Sequence, residues 1–137
     1  MALVAAACVS AIARDREDIW NTKDGNSVWR SECGVCHMAY PPGLLSSEDW
    51  LNIMAQLDKH FGVDASLDTS VSAEIAAYLK QKGASHDGFA SRGEEPPRIT
   101  TSIKFQKKHR SAIRLWSRGQ VKSLSDCGAC HKEASPQ

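Results

Sequence analysis

Cys33-Gly34-Val35-Cys36-His37 and Cys127-Gly128-Ala129-Cys130-His131 are two copies of one pattern, Cys-x-x-Cys-His, in a chain of 137 residues. The pattern is the attachment signature of a c-type haem. Cysteines three positions apart sit about one helical turn from each other, so both thiols can reach the two vinyl groups on one edge of a porphyrin. The histidine that follows then offers its imidazole to the iron from beneath the ring. A structural zinc site could draw four thiolates from the two pairs, but it would not call for a histidine after each. A thioredoxin-like pair would sit within a βαβ pattern, which surrounds neither copy. Cys33, Cys36, Cys127 and Cys130 are therefore read as thioether positions for two covalently bound haems c, with His37 and His131 as iron ligands.

Outward from the motifs, the composition is that of an ordinary globular chain, 42% hydrophobic and 24% charged. A formal net charge of +1 argues against a general nucleic-acid binder, whose phosphate contacts require a clear basic excess. Met1 to Ala13 is small and apolar, ends in Ala11-Ile12-Ala13 and gives way to Arg14-Asp15-Arg16-Glu17-Asp18. It reads as a signal peptide cut after Ala13, although the basic stretch that opens such signals does not precede the apolar run, as a truncated or misassigned start would explain. Cys8 would be lost with it; the run before it is too short for a lipoprotein site. No other stretch approaches the roughly 20 apolar residues that span a bilayer. The expectation is a soluble, exported, periplasmic monomer.

The organisation expected is a haem domain over residues 14–84, a linker over 85–99 and a C-terminal haem-binding segment over 100–137. Units below about 40 residues rarely fold without a metal, disulfide or similar staple. The last segment is of that size, and a buried haem would supply its core.

The elements between the motifs read as helices. After the Pro41-Pro42-Gly43 turn, Ser46-Ser47-Glu48-Asp49 supplies a polar cap and an acidic first turn. Trp50, Ile53, Met54, Leu57 and Phe61 then recur at helical spacing on one face. His60 falls on that face, with Gly62 as the stop, and is the candidate sixth ligand of the first iron. Met54 shares the face and is its competitor, since His/Met ligation also occurs in cytochromes c. A further helix carries Val71, Ile75, Tyr78 and Leu79.

Thr100-Thr101-Ser102 caps another, in which Phe105 precedes His109 by one turn. With the sequence ending at Gln137, a protein ligand for the second iron is expected from upstream, and His109 is the candidate. His86, in a Gly-Ala-Ser-His-Asp-Gly run, reads as a loop residue that ligates nothing. Pro41 offers a carbonyl within reach of the His37 imidazole, which usually donates its second N–H to such a group, though it also serves as a simple helix stop.

As a set, these residues resemble the bacterial dihaem cytochrome c family. The resemblance runs through Cys33-Gly-Val-Cys-His-Met-Ala-Tyr-Pro-Pro-Gly-Leu-Leu45, Met54, Leu57-Asp-Lys-His-Phe-Gly62, Ala73-Glu-Ile-Ala-Ala-Tyr-Leu79, Arg98-Ile-Thr100, Phe105, His109, and Val121-Lys-Ser-Leu124 leading into the second motif. It implies an all-α chain with a class I cytochrome c-like N-terminal part and a short helical C-terminal haem segment. It implies bis-histidine irons, His37 with His60 and His131 with His109. It also implies an electron carrier between redox proteins, with a small soluble cytochrome as acceptor and a membrane cytochrome b as donor, and no small-molecule substrate.

Two other functions compete. A small haem enzyme or oxygen-binding protein needs one open iron, whereas the histidine count is enough to close both. A small dihaem subunit of a periplasmic reductase would carry its motifs closer together than Cys33 and Cys127 are here.

The near-neutral total conceals a division of charge. Residues 14–99 hold 9 Lys or Arg against 14 Asp or Glu, while residues 100–137 hold 8 against 2. The acidic half carries one motif and the basic half the other.

Overall fold

The computed structural model describes residues 25–85, 89–93, 95–131 and 134. The expected signal segment, Cys8 and His86 lie outside them. The described residues are all-α: α1 is Ser27–Cys33, α2 Ser47–Met54, α3 Thr69–Lys82, α4 Ile103–Lys108 and α5 Arg110–Ser117. Short 3-10 turns occupy Pro42–Leu44, Leu57–Lys59, Ile99–Thr101 and Cys127–Ala129. None of the described helices is long and apolar enough to cross a membrane.

Local chemistry sets the ends of these helices. The Asn26 side chain accepts the Trp29 N–H at 2.7 Å and opens α1. Ser46 accepts from Asp49 N to open α2, as its polar run predicts. Ser102 accepts from Phe105 N to open α4. Each supplies a partner to a backbone donor that the first turn leaves unsatisfied.

The core is Trp29, Leu45, Trp50, Ile53, Ile75 and Leu79, all buried. It joins α1, α2 and α3, and α2 against α3 is the principal helix contact. Trp50 can be buried because its indole N–H donates to the Pro42 carbonyl at 2.7 Å. The end of α3 is laced to the start of α2: Ala84 N donates to Leu45 O at 2.8 Å, and Ser47 N to Ala84 O at 3.1 Å. Gly83 permits this approach, since a Cβ there would lie 2.8 Å from both Ser47 Cα and Leu79 O. Ile75 is fully buried at the centre. Ile75→Ala is expected to cost about 2–5 kcal/mol, the range for such truncations in a core that cannot collapse; denaturant unfolding of the holoprotein measures it.

The connector does not project from this core. Ser91 N donates to Asp49 Oδ2 at 2.7 Å, and Asn52 Nδ2 to both Glu95 carboxylate oxygens at 3.1 Å. Pro97 and Ser102 beyond it are buried. The connector is thereby held against α2.

One helix departs from the periodicity. The apolar face from Trp50 to Phe61 predicts a helix continuing to Gly62, but α2 stops at Met54. Ala65 N donates to Leu57 O at 2.8 Å and Val63 N to His60 O at 3.0 Å, closing a loop where the next turns would be. Phe61 takes a left-handed φ of 50° and Gly62 one of 92°. Phe61 is therefore exposed rather than facing the core.

Candidate haem sites

That loop delivers His60. Its backbone is held by Leu57 O on one side and Val63 N on the other, so the imidazole points where a continuous helix would not have sent it. A non-glycine residue in the left-handed region costs about 1–3 kcal/mol and recurs at ligand clamps; here Phe61 bears it. The Phe61 ring meets the His60 ring edge-on, with centroids 4.8 Å apart, and the Arg98 guanidinium lies over the Phe61 ring, 4.4 Å from its centroid.

The His37 and His60 rings face one another with centroids 6.1 Å apart and planes 27° apart. In the basic segment, the His109 and His131 rings lie edge-on to one another, with centroids 5.9 Å apart and planes at 71°. Imidazole nitrogens bind transition metals at about 2 Å, and the ring centre lies about 1 Å behind the nitrogen, so two imidazoles on one iron have centres about 6 Å apart. Both pairs have that spacing.

The ring nitrogens point the same way. His37 Nδ1 lies 2.7 Å from Met38 O and His109 Nδ1 lies 3.1 Å from Phe105 O. A carbonyl can only accept, so each Nδ1 carries the proton and each Nε2 keeps its lone pair for a metal. The Pro41 carbonyl expected to serve His37 instead accepts from Leu44 N at 3.0 Å; the nearer Met38 carbonyl takes its place because the chain turns immediately after the motif. Phe105 also stacks on His109, with centroids 4.0 Å apart and planes 11° apart.

His60 Nδ1 is buried with no hydrogen-bond partner, so no carbonyl fixes its tautomer as Met38 O and Phe105 O fix those of His37 and His109. Burial, then the neighbouring His37, pushes the His60 pKa down. The neutral imidazole that results is the form an iron binds. Met54 packs against the core cluster.

The cysteines fall into two matched pairs. Cys33 and Cys127 are half-buried, Cys36 and Cys130 exposed, and all four are free thiols. Burial, then the Glu32 charge, pushes the Cys33 thiol up to about 11. Burial likewise raises Cys127, with Asp126 adding to it. Among the described residues no group of three or more His, Cys, Asp or Glu is arranged to hold a bare metal ion, so the four thiolates do not converge as a zinc site requires. Two thiols beside one imidazole, with a second imidazole about 6 Å away, fit a covalently attached haem at each motif.

The sequence model of the family described as dihaem cytochrome c matches residues 29–137. The chain belongs to the dihaem cytochrome c family. Two structures of the dihaem cytochrome c of Rhodobacter sphaeroides are similar to it, at 38% and 37% identity with TM-scores of 0.66 and 0.68, each over 80% of this chain and 93% of the other. The X-ray structure of a dihaem c-type cytochrome from Shewanella baltica is similar at 40% identity and a TM-score of 0.66, over 80% of this chain and 82% of the other. No curated protein matches the chain. This dihaem cytochrome carries two covalently bound haems c and acts as an electron carrier rather than an enzyme.

One residue of the region had no sequence signal beyond the motif that contains it. Tyr40 lies with its ring 4.9 Å from that of His37, and its hydroxyl donates to Ser125 O at 2.9 Å, 85 residues away. Burial, then Cys127, raises its phenol pKa and so keeps it a donor.

Proposed function

We propose that Cys33 and Cys36 hold one haem between His37 and His60, and that Cys127 and Cys130 hold the other between His131 and His109. The paired imidazoles at 6.1 Å and 5.9 Å are the observation that carries this reading. Haem supplies a one-electron couple. The protein would bind it through two thioethers at each motif, with His37 and His60 on one iron and His131 and His109 on the other, and carbonyls such as Met38 O and Phe105 O would fix the imidazoles. With two imidazoles on each iron, no open site would remain for peroxide or oxygen, as suits an electron carrier. Two imidazoles also set a lower potential than His/Met ligation, because a thioether raises it.

The division into a haem domain over 14–84, a linker over 85–99 and a haem segment over 100–137 follows from the same assignment. A periplasmic location is consistent with the family, and residues 1–13 serve there as the export signal. The protein takes electrons from a membrane cytochrome b and passes them to a small soluble cytochrome, acting as a monomer. Mass spectrometry of the mature, denatured protein should give the apoprotein plus two haems and a start at Arg14. One haem, or none, would overturn the attachment at one or both motifs.

A further inference from the structure

We propose that Tyr40 is a positioning residue that couples the two haem sites, holding the second attachment loop against the His37 imidazole. The proposal rests on the ligand reading above. A cavity of about 290 Å³ lies between the two motifs, lined by His37 and Tyr40 on one side and by Ser125, Asp126, Cys127 and Gly128 on the other. Tyr40 crosses from one side to the other.

Its ring is 4.9 Å from the His37 ring, tilted by 31°. Its hydroxyl donates to Ser125 O at 2.9 Å. The same carbonyl accepts Cys127 N at 3.0 Å, with Cys127 Sγ at 3.6 Å. A carbonyl oxygen has two lone pairs and can serve both donors. An iron ligand of the first site and a thioether cysteine of the second are thereby joined through one ring contact and two hydrogen bonds, with no intervening gap. Such contiguity is a route only if loosening it changes the coupling.

The step it serves is the internal one. With both haems bound, one electron would pass from the reduced site to the oxidised one, and the protein's part is to hold the two sites in place. Tyr40 is neither oxidised nor deprotonated in it, and keeps its O–H bond throughout.

The test uses half-reduced holoprotein and exchange NMR of the haem methyl resonances, with dilution separating transfer within a molecule from transfer between molecules. Mass and visible spectra come first: if the unaltered protein lacks two low-spin haems, the ligand reading fails before Tyr40 is tested. Tyr40→Phe keeps the ring and removes the hydroxyl. It should slow internal exchange more than twofold. Tyr40→Leu, which also removes the ring contact, should slow it further. Ser123→Ala lies outside the proposed link and removes only the side chain that contacts Ser125 Oγ at 2.7 Å; it should leave exchange unchanged. Exchange within twofold of the unaltered protein in both Tyr40 variants, with both haems low-spin, would make Tyr40 a structural clamp only. Slowing in Ser123→Ala equal to that in Tyr40→Phe would assign the effect to general loosening of the loop. Either result overturns the proposal.

Discussion

Replacing His60 with Ala should turn one of the two haems high-spin and leave the other unchanged, and His109→Ala should do the converse. Half of the low-spin signal is then lost in each variant, and nearly all of it in the double variant. The expectation rests on pairing: His60 lies against His37 and His109 against His131, and these contacts lie in different parts of the chain. Electron paramagnetic resonance of the oxidised protein reads the spin state, and carbon monoxide uptake by the reduced protein reads the opened position. His60→Met is the informative companion, because a thioether in place of the imidazole should raise the potential of that haem alone. Sites that stay low-spin in both Ala variants would sink the assignment. Should Met54 take over in His60→Ala, the spin state would persist but the potential would rise, and His60→Ala with Met54→Leu separates the two.

The contrast between His60 and Tyr40 locates what a sequence can disclose. The motifs are local, and attachment chemistry dictates their spacing, so Cys33 to His37 and Cys127 to His131 are legible without any fold. The caps at Ser46 and Ser102 are equally local and lie where polar side chains precede apolar runs. His60 was reached from helical periodicity, yet the helix is absent at that point: α2 ends at Met54, and a tight loop through Phe61 and Gly62 presents the imidazole. The apolar residues are real, but Leu57 serves a 3-10 turn and Phe61 flanks the ligand with Arg98 over it. Periodicity registers which residues avoid water, and a haem edge satisfies that as well as a helix partner does. Tyr40 lies in the stretch that carries the resemblance, but nothing local discloses its role, because its defining contact joins positions 85 residues apart. The same holds for the acceptor of His37: the Pro41 carbonyl was expected, and the backbone turn after the motif presents that of Met38 instead.

Transfer to the acceptor should slow by roughly tenfold or more between low and high salt, within the range by which electrostatic steering alters association rates, and charge reversal at Lys107 and Lys108 should flatten that dependence. The basic excess of residues 100–137 is not spread evenly. Lys107 and Lys108 are exposed and immediately precede His109, at the rim of the second site. Arg110, Arg114 and Arg118 recur every four residues on α5 and its cap, also exposed, which places them along one face. Lys104 is differently engaged, with its Nζ 3.8 Å over the Phe89 ring. A cluster of this kind acts over about a Debye length, ~8 Å at physiological ionic strength, so it favours encounters that bring an acidic surface to the second haem. The acidic residues of the first part should disfavour the opposite approach, so that the two together would orient the protein between its redox partners. Both lysines lie in the last turn of α4, where positive charge also complements the helix end. Reversal there can loosen the helix as well as weaken docking, so the control is Lys107→Gln with Lys108→Gln. That pair should give an intermediate salt slope with the second haem still low-spin. Stopped-flow mixing with the acceptor over a range of salt concentrations measures all three proteins. A rate indifferent to salt in the unaltered protein, or a slope unchanged by reversal, would reduce the basic segment to a solvated face.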